Sequence, residues 1–97
     1  MQVSVRFFTS LREITGKRER TLEFPDGEVV TIGKVLKKLG ECYGKSFVEY
    51  IYDSKTSKVK GFLQFLINGR SASTFDGLNT KLSDGDVLAI IPPVGGG

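Results

Sequence analysis

One stretch of this chain dictates what the rest must do. Between Thr31 and Gly44 the apolar residues Ile32, Val35, Leu36, Leu39 and Tyr43 recur at three- and four-residue steps, with Lys34, Lys37, Lys38 and Glu41 elsewhere. That spacing predicts an amphipathic helix, capped by Thr31 and closed by Gly44. Gly33 and Gly40 fall inside it, and each weakens a helix by about 1 kcal/mol relative to alanine. A helix so weakened draws its stability from packing on something else, and the flanking sequence supplies strands. Gln2 to Phe8 alternates Val3, Val5 and Phe7 against Gln2, Ser4 and Arg6. Arg20 to Phe24 places Leu22 and Phe24 on one face, while Phe62 to Ile67 and Val87 to Ile91 are strongly apolar runs. Two strands, one main helix and then further strands give an α+β fold with the helix on one face of a sheet.

The connections carry signals of their own. Thr9 is placed to cap a short helical turn that Gly16 ends. Pro25-Asp26-Gly27 is a turn in which proline presets φ and glycine accepts a positive one, and Asn68-Gly69 is the tight-hairpin dipeptide. Ser46-Phe47-Val48-Glu49 has capping-box spacing for a second short helix through Tyr52. Residues 53 to 60 are polar and read as a mobile loop, and residues 76 to 82 as loop or short edge structure.

Composition narrows the chemistry. A chain of 97 residues forms one domain and buries roughly 60 to 70% of its unfolded surface. No apolar run approaches the roughly 20 residues that cross a bilayer, and the N-terminus alternates like a strand where a signal peptide would be basic and then apolar. We expect a cytoplasmic protein with no membrane association, its domain spanning residues 1–94 and a tail spanning 95–97. With no histidine and a single cysteine, Cys42, the usual metal clusters and His-based acid/base chemistry are excluded. No bound cofactor and no catalysis by the chain alone are expected. Cys42 falls near the apolar stripe of the main helix and reads as a packed small hydrophobe. A net charge of +3 permits an acidic partner, but no nucleic-acid-binding module accompanies the basic residues.

The ending Pro92-Pro93-Val94-Gly95-Gly96-Gly97 is the most informative segment. The prolines end the last strand because they lack amide donors, and they keep the exit extended. The glycines carry no side chain and adopt nearly any φ and ψ, so such a tail can enter a channel closed to a bulkier chain. At its tip the Gly97 carboxylate becomes electrophilic once adenylated with ATP, opening its carbon to sulfur or an amine. Phe8, Phe62 and Leu66 fall out of phase with the inward sets Val3, Val5, Phe7 and Leu63, Phe65, Ile67, which leaves apolar surface for a docking partner or for cover by the 53 to 60 loop. Arg70, after the Asn-Gly turn, is a further candidate contact.

Val5-Arg6-Phe7-Phe8 with Ser10-Leu11-Arg12-Glu13, Leu66-Ile67-Asn68-Gly69-Arg70, and Leu82 through Gly97 together resemble the small subunit of molybdopterin synthase within the ubiquitin-like sulfur carriers, over nearly the whole chain. The resemblance implies a β-grasp fold, a mixed sheet packed on one main helix. It also implies a cycle in which a ubiquitin-activating-like enzyme uses ATP to adenylate Gly97 and a sulfur donor converts it to a thiocarboxylate. The tail, Gly95 and Gly96 included, then inserts into the synthase large subunit and sulfurates a pterin precursor in molybdenum cofactor biosynthesis. Pro92, Pro93 and Val94 would accompany it as partner-binding residues. Gly95 departs from the family, where alanine or serine is common. The archaeal small modifiers and ubiquitin-related modifiers resemble the chain too, and they imply transfer to target-protein lysines or service to tRNA thiolation.

Overall fold

Strand β1 (Gln2–Phe7) buries Val3, Val5 and Phe7 completely and turns Gln2, Ser4 and Arg6 to the other side. The computed structural model describes residues 1–72 and 77–93. After β1 come α1 (Ser10–Thr15), β2 (Glu19–Glu23), α2 (Ile32–Tyr43), α3 (Lys45–Ile51), β3 (Gln64–Ile67), β4 (Arg70–Ser71), a 3-10 turn (Gly77–Asn79) and β5 (Val87–Ile91). The strands form one five-stranded sheet in the order β2-β1-β5-β3-β4. β1 and β5 run parallel at its centre, and the other neighbours are antiparallel, so the sheet is mixed, as expected.

α2 lies across this sheet with Ile32, Val35, Leu36 and Leu39 buried. They meet Leu88 and Ile90 of β5 and the inner residues of β1 in a single core, which α3 extends with Phe47 and Ile51. The two glycines that weaken α2 sit where neighbours approach. A Cβ on Gly40 would meet Val48 Cγ2 of α3 at 3.1 Å, and one on Gly33 would meet the Leu78 carbonyl at 3.5 Å. Thr31 caps α2 as its position indicated, its Oγ1 accepting the Lys34 amide at 3.2 Å. Thr31→Ala is expected to lower stability by about 1 kcal/mol, read as a lower urea midpoint with an unchanged slope.

Two local expectations are corrected. Thr9 precedes α1 but makes no side-chain cap bond; it sits at φ 48° and ψ −120°, in a turn closed by the Leu11 amide on the Phe8 carbonyl. Ser46 does not cap α3. Gly44, at φ 78°, reverses the chain directly from α2 into a helix beginning at Lys45, so Ser46 lies inside the first turn. Residues 53 to 60 are a loop, as the sequence suggested, and it is closed by hydrogen bonds: the Asp53 carboxylate accepts the amides of Lys55 and Thr56, and Tyr52 bridges to Val59. Those amides, Lys55 first, hold the Asp53 carboxyl below its usual range. Asn68 and Gly69 do form the hairpin turn, both with positive φ.

Candidate functional site

Gly97, with Gly95, Gly96 and Val94, lies outside the described residues. The structure does fix the place from which they depart. β5 is held on both sides, Ile90 opposite Phe7 of β1 and Phe65 of β3, and Ile91 opposite Gln64. The ladder then stops at Pro92, which is buried, and Pro93, which is exposed. Within two residues the chain passes from the middle of the sheet to its surface.

Phe8 follows β1 at this same end of the sheet and is half-buried. The Arg12 guanidinium stands 5.5 Å from the centre of its ring, while Arg12 Nε donates to the Phe7 carbonyl at 3.0 Å. Between them Thr9 occupies backbone space that β-branched residues rarely enter, a conformation costing of order 1–3 kcal/mol. Arg12 is a member of this surface that sequence patterning did not single out. Its placement depends on the α1 corner, and the only sequence signal for it is a basic residue directly after buried Leu11.

The registers also define the face turned away from α2. Ser4 lies beside Val87 and Arg6 beside Ala89, while Leu66 opposes Ala89 and Gln64 opposes Ile91. One half of that face is therefore apolar, through Leu66, Val87, Ala89 and Ile91, and leads to the Pro92 exit. The other half is polar, through Ser4, Arg6, Glu19 and Thr21. Leu66 additionally borders a groove of about 610 Å³ with Leu63, Phe65, Ala72 and Leu78. The out-of-phase residues do not make one patch. Phe8 and Leu66 belong with the exit, whereas Phe62, 49% exposed, packs edge-on against Tyr50 of α3 at 6.4 Å under the Lys60 ammonium. Arg70 is exposed and pairs with Ile67 at the opposite end of the sheet from the exit.

Cys42 is exposed, which corrects the expectation of a packed thiol. It continues the row of Lys34 and Lys38 at four-residue steps, on the flank of α2, where the core row is Ile32, Val35, Leu36, Leu39 and Tyr43. Beside it the Arg20 guanidinium lies over the Tyr43 ring and donates to its hydroxyl, which raises the Arg20 pKa further. Among the described residues no group of Cys, Asp and Glu could hold a metal ion, and no helix is long and apolar enough to cross a membrane.

A mixed sheet in this order, with a parallel central pair and one main helix across it, defines a ubiquitin-like β-grasp protein. The profile of the ThiS family matches residues 5–97, and the chain belongs to that family. It is 35% identical to small archaeal modifier protein 3 of Haloferax volcanii over 97 residues, all of both chains. It is 30% identical, again over the full length of both, to the sulfur carrier protein CysO of Mycobacterium tuberculosis. The solution structure of small archaeal modifier protein 1 from Methanosarcina acetivorans superposes with a TM-score of 0.80 at 33% identity, covering 99% of this chain and 96% of the other.

Proposed function

We propose that the protein is a sulfur carrier whose working group is the Gly97 carboxylate. A partner enzyme joins that carboxylate to the α-phosphate of ATP, releasing pyrophosphate. A nucleophile carrying sulfur at the sulfide level then attacks the acyl carbon and AMP leaves, so the tail ends in a thiocarboxylate. The observation that carries this reading is the family match, which runs through residue 97 and so includes the glycine tail. The central position of β5 supports it, because a tail rooted between two strands can be drawn into a partner while the domain stays folded. A chain without histidine brings no ordinary proton-transfer group at neutral pH, so it acts as a carrier and leaves catalysis to its partners, with no cofactor of its own.

On the resemblance set out above, the acceptor is a pterin precursor held by the large subunit of molybdopterin synthase. The second reading is attachment through Gly97 to lysines of target proteins, or service to tRNA thiolation. The 35% identity to a small archaeal modifier favours it. Incubation with ATP, the activating enzyme and a sulfide source, followed by intact-mass analysis, is expected to show one oxygen of the C-terminal fragment replaced by sulfur. An unchanged fragment, under conditions that convert another ThiS-family carrier, would reject the proposal. Co-purified synthase large subunit would assign the pterin, and lysine-linked conjugates the modifier.

A further inference from the structure

The sheet order leaves β2 with β1 on one side and, among the described residues, no strand on the other. Two hydrogen bonds of 2.9 Å, from the Phe24 amide to the Met1 carbonyl and from the Phe7 amide to the Arg18 carbonyl, set the phase of this antiparallel pair. Residues 18, 20, 22 and 24 therefore turn their backbone groups toward β1, and residues 19, 21 and 23 turn theirs outward. Of the outward groups, the Glu23 carbonyl accepts from Lys38 Nζ at 2.7 Å. The N–H and C=O of Glu19 and Thr21 and the N–H of Glu23 have no hydrogen-bond partner among the described residues. They form a short template of the kind to which an extended peptide adds.

Charges alternate along this template. Glu19, Thr21 and Glu23 stand on the face away from α2. On the helix side stand Arg20, held over Tyr43, and Lys38, whose ammonium is 4.7 Å from the Phe24 ring centre. Glu28 and Glu23 are already engaged, by Lys34 and by Gln2 Nε2 respectively, and the Arg20 and Lys38 cations have no carboxylate partner among the described residues. A second copy of the chain fits poorly. Antiparallel pairing of β2 with itself about Thr21 sets Glu19 against Glu23 twice, and a shift one way sets Arg20 against Arg20, both unfavourable. A shift the other way sets Arg20 against Phe24 and Glu19 against Pro25, which has no amide to give to the new ladder. Charges on an edge strand guard against indiscriminate pairing, and here the same charges specify a complement.

We propose that the β2 edge is a docking site for an extended peptide lying antiparallel to Glu19–Glu23, with basic residues opposite Glu19 and Glu23 and acidic residues facing Arg20 and Lys38. In chain order the complement is Lys-Glu-Thr-Glu-Lys, its threonine opposite Thr21. The edge is separated from the Pro92 exit by β1, so a partner held here leaves the tail free. The site does not depend on the carrier reading, and it persists in protein lacking Gly96 and Gly97.

The test is titration of ¹⁵N-labelled protein with a synthetic peptide centred on Lys-Glu-Thr-Glu-Lys and with its charge-reversed counterpart Glu-Lys-Thr-Lys-Glu. Amide shifts are expected at Glu19, Thr21 and Glu23, fading as salt is raised. The reversed peptide is expected to bind about tenfold more weakly, from several cross-strand charge pairs together. The double substitution E19K/E23K should weaken the first peptide by a similar factor. Thr21→Pro should abolish its binding, since that N–H points away from β1 and its loss spares the native ladder; the charge variant decides the matter if Thr21→Pro does not fold. Equal binding of the two peptides, absence of shifts at Glu19 and Thr21, or shifts there with an RNA oligonucleotide and not with peptide would each overturn the proposal.

Discussion

Replacing Phe7 by alanine is expected to destabilise the protein by about 3–5 kcal/mol, the range for emptying a fully buried aromatic position. Phe7 has no solvent exposure and is opposite Ile90 in the central parallel pair. The Tyr43 ring of α2 meets it edge-on at 5.9 Å and continues to Phe47 of α3 at 6.1 Å. Its removal therefore opens a cavity where β1, β5, α2 and α3 converge, and none of the four can move in without breaking ladder or helix contacts of its own. Total stabilities of small domains are about 5–15 kcal/mol, so the variant sits near the unfolding threshold. Urea denaturation followed by circular dichroism measures the effect. A shift equivalent to less than about 1 kcal/mol would contradict the convergence of these elements on Phe7. Because Phe7 and Ile90 pair just before the chain leaves the sheet, a surviving variant should also present its tail from a looser root.

The ease with which this core could be anticipated follows from periodicity. Val3, Val5 and Phe7 alternate, and Ile32, Val35, Leu36 and Leu39 recur at helical steps; the structure buries each of them fully. Asn68-Gly69 and Gly16 announced their turns because positive φ is a property of single residues. Other features depend on partners that a local pattern does not contain. That β1 lies parallel to β5, 80 residues and more along the chain, is a long-range choice, and with it go the exit at Pro92 and the apolar half of the open face. Thr9 and Ser46 have capping chemistry but not capping geometry, since the turn before α1 and Gly44 before α3 had already set the chain direction. Cys42 shows the same limit: it sits three residues beyond Leu39, as a core residue can, yet on the Lys34–Lys38 flank the core ends before it. The unpaired edge of β2 became visible only through the strand order. Its alternating charges, Glu19, Arg20 and Glu23, otherwise read as an ordinary solvated strand.

Removing Gly96 and Gly97 is expected to abolish thiocarboxylate formation while leaving the urea midpoint unchanged. The truncated chain still ends in a glycine carboxylate, that of Gly95, so the chemistry of the group is preserved and only its reach changes. From exposed Pro93, the four residues 94–97 extend at most about 14 Å, and deletion halves that to about 7 Å. Adenylation needs the carboxylate in line with the α-phosphate of ATP, and misplacement by even 1 Å can lower such rates about 100-fold. A loss of two residues places the group several ångströms short, with no compensating movement available to a domain whose β5 is locked between β1 and β3. Intact-mass analysis after incubation with ATP, activating enzyme and sulfide reads the outcome. Sulfur incorporation at the wild-type rate would show that the reach supplied by Gly96 and Gly97 is not required. Loss of incorporation together with a lowered midpoint would mean that the glycines support the fold. Loss with an unchanged midpoint, and with peptide binding at β2 intact, would separate delivery of the carboxylate from both the stability of the domain and the docking edge.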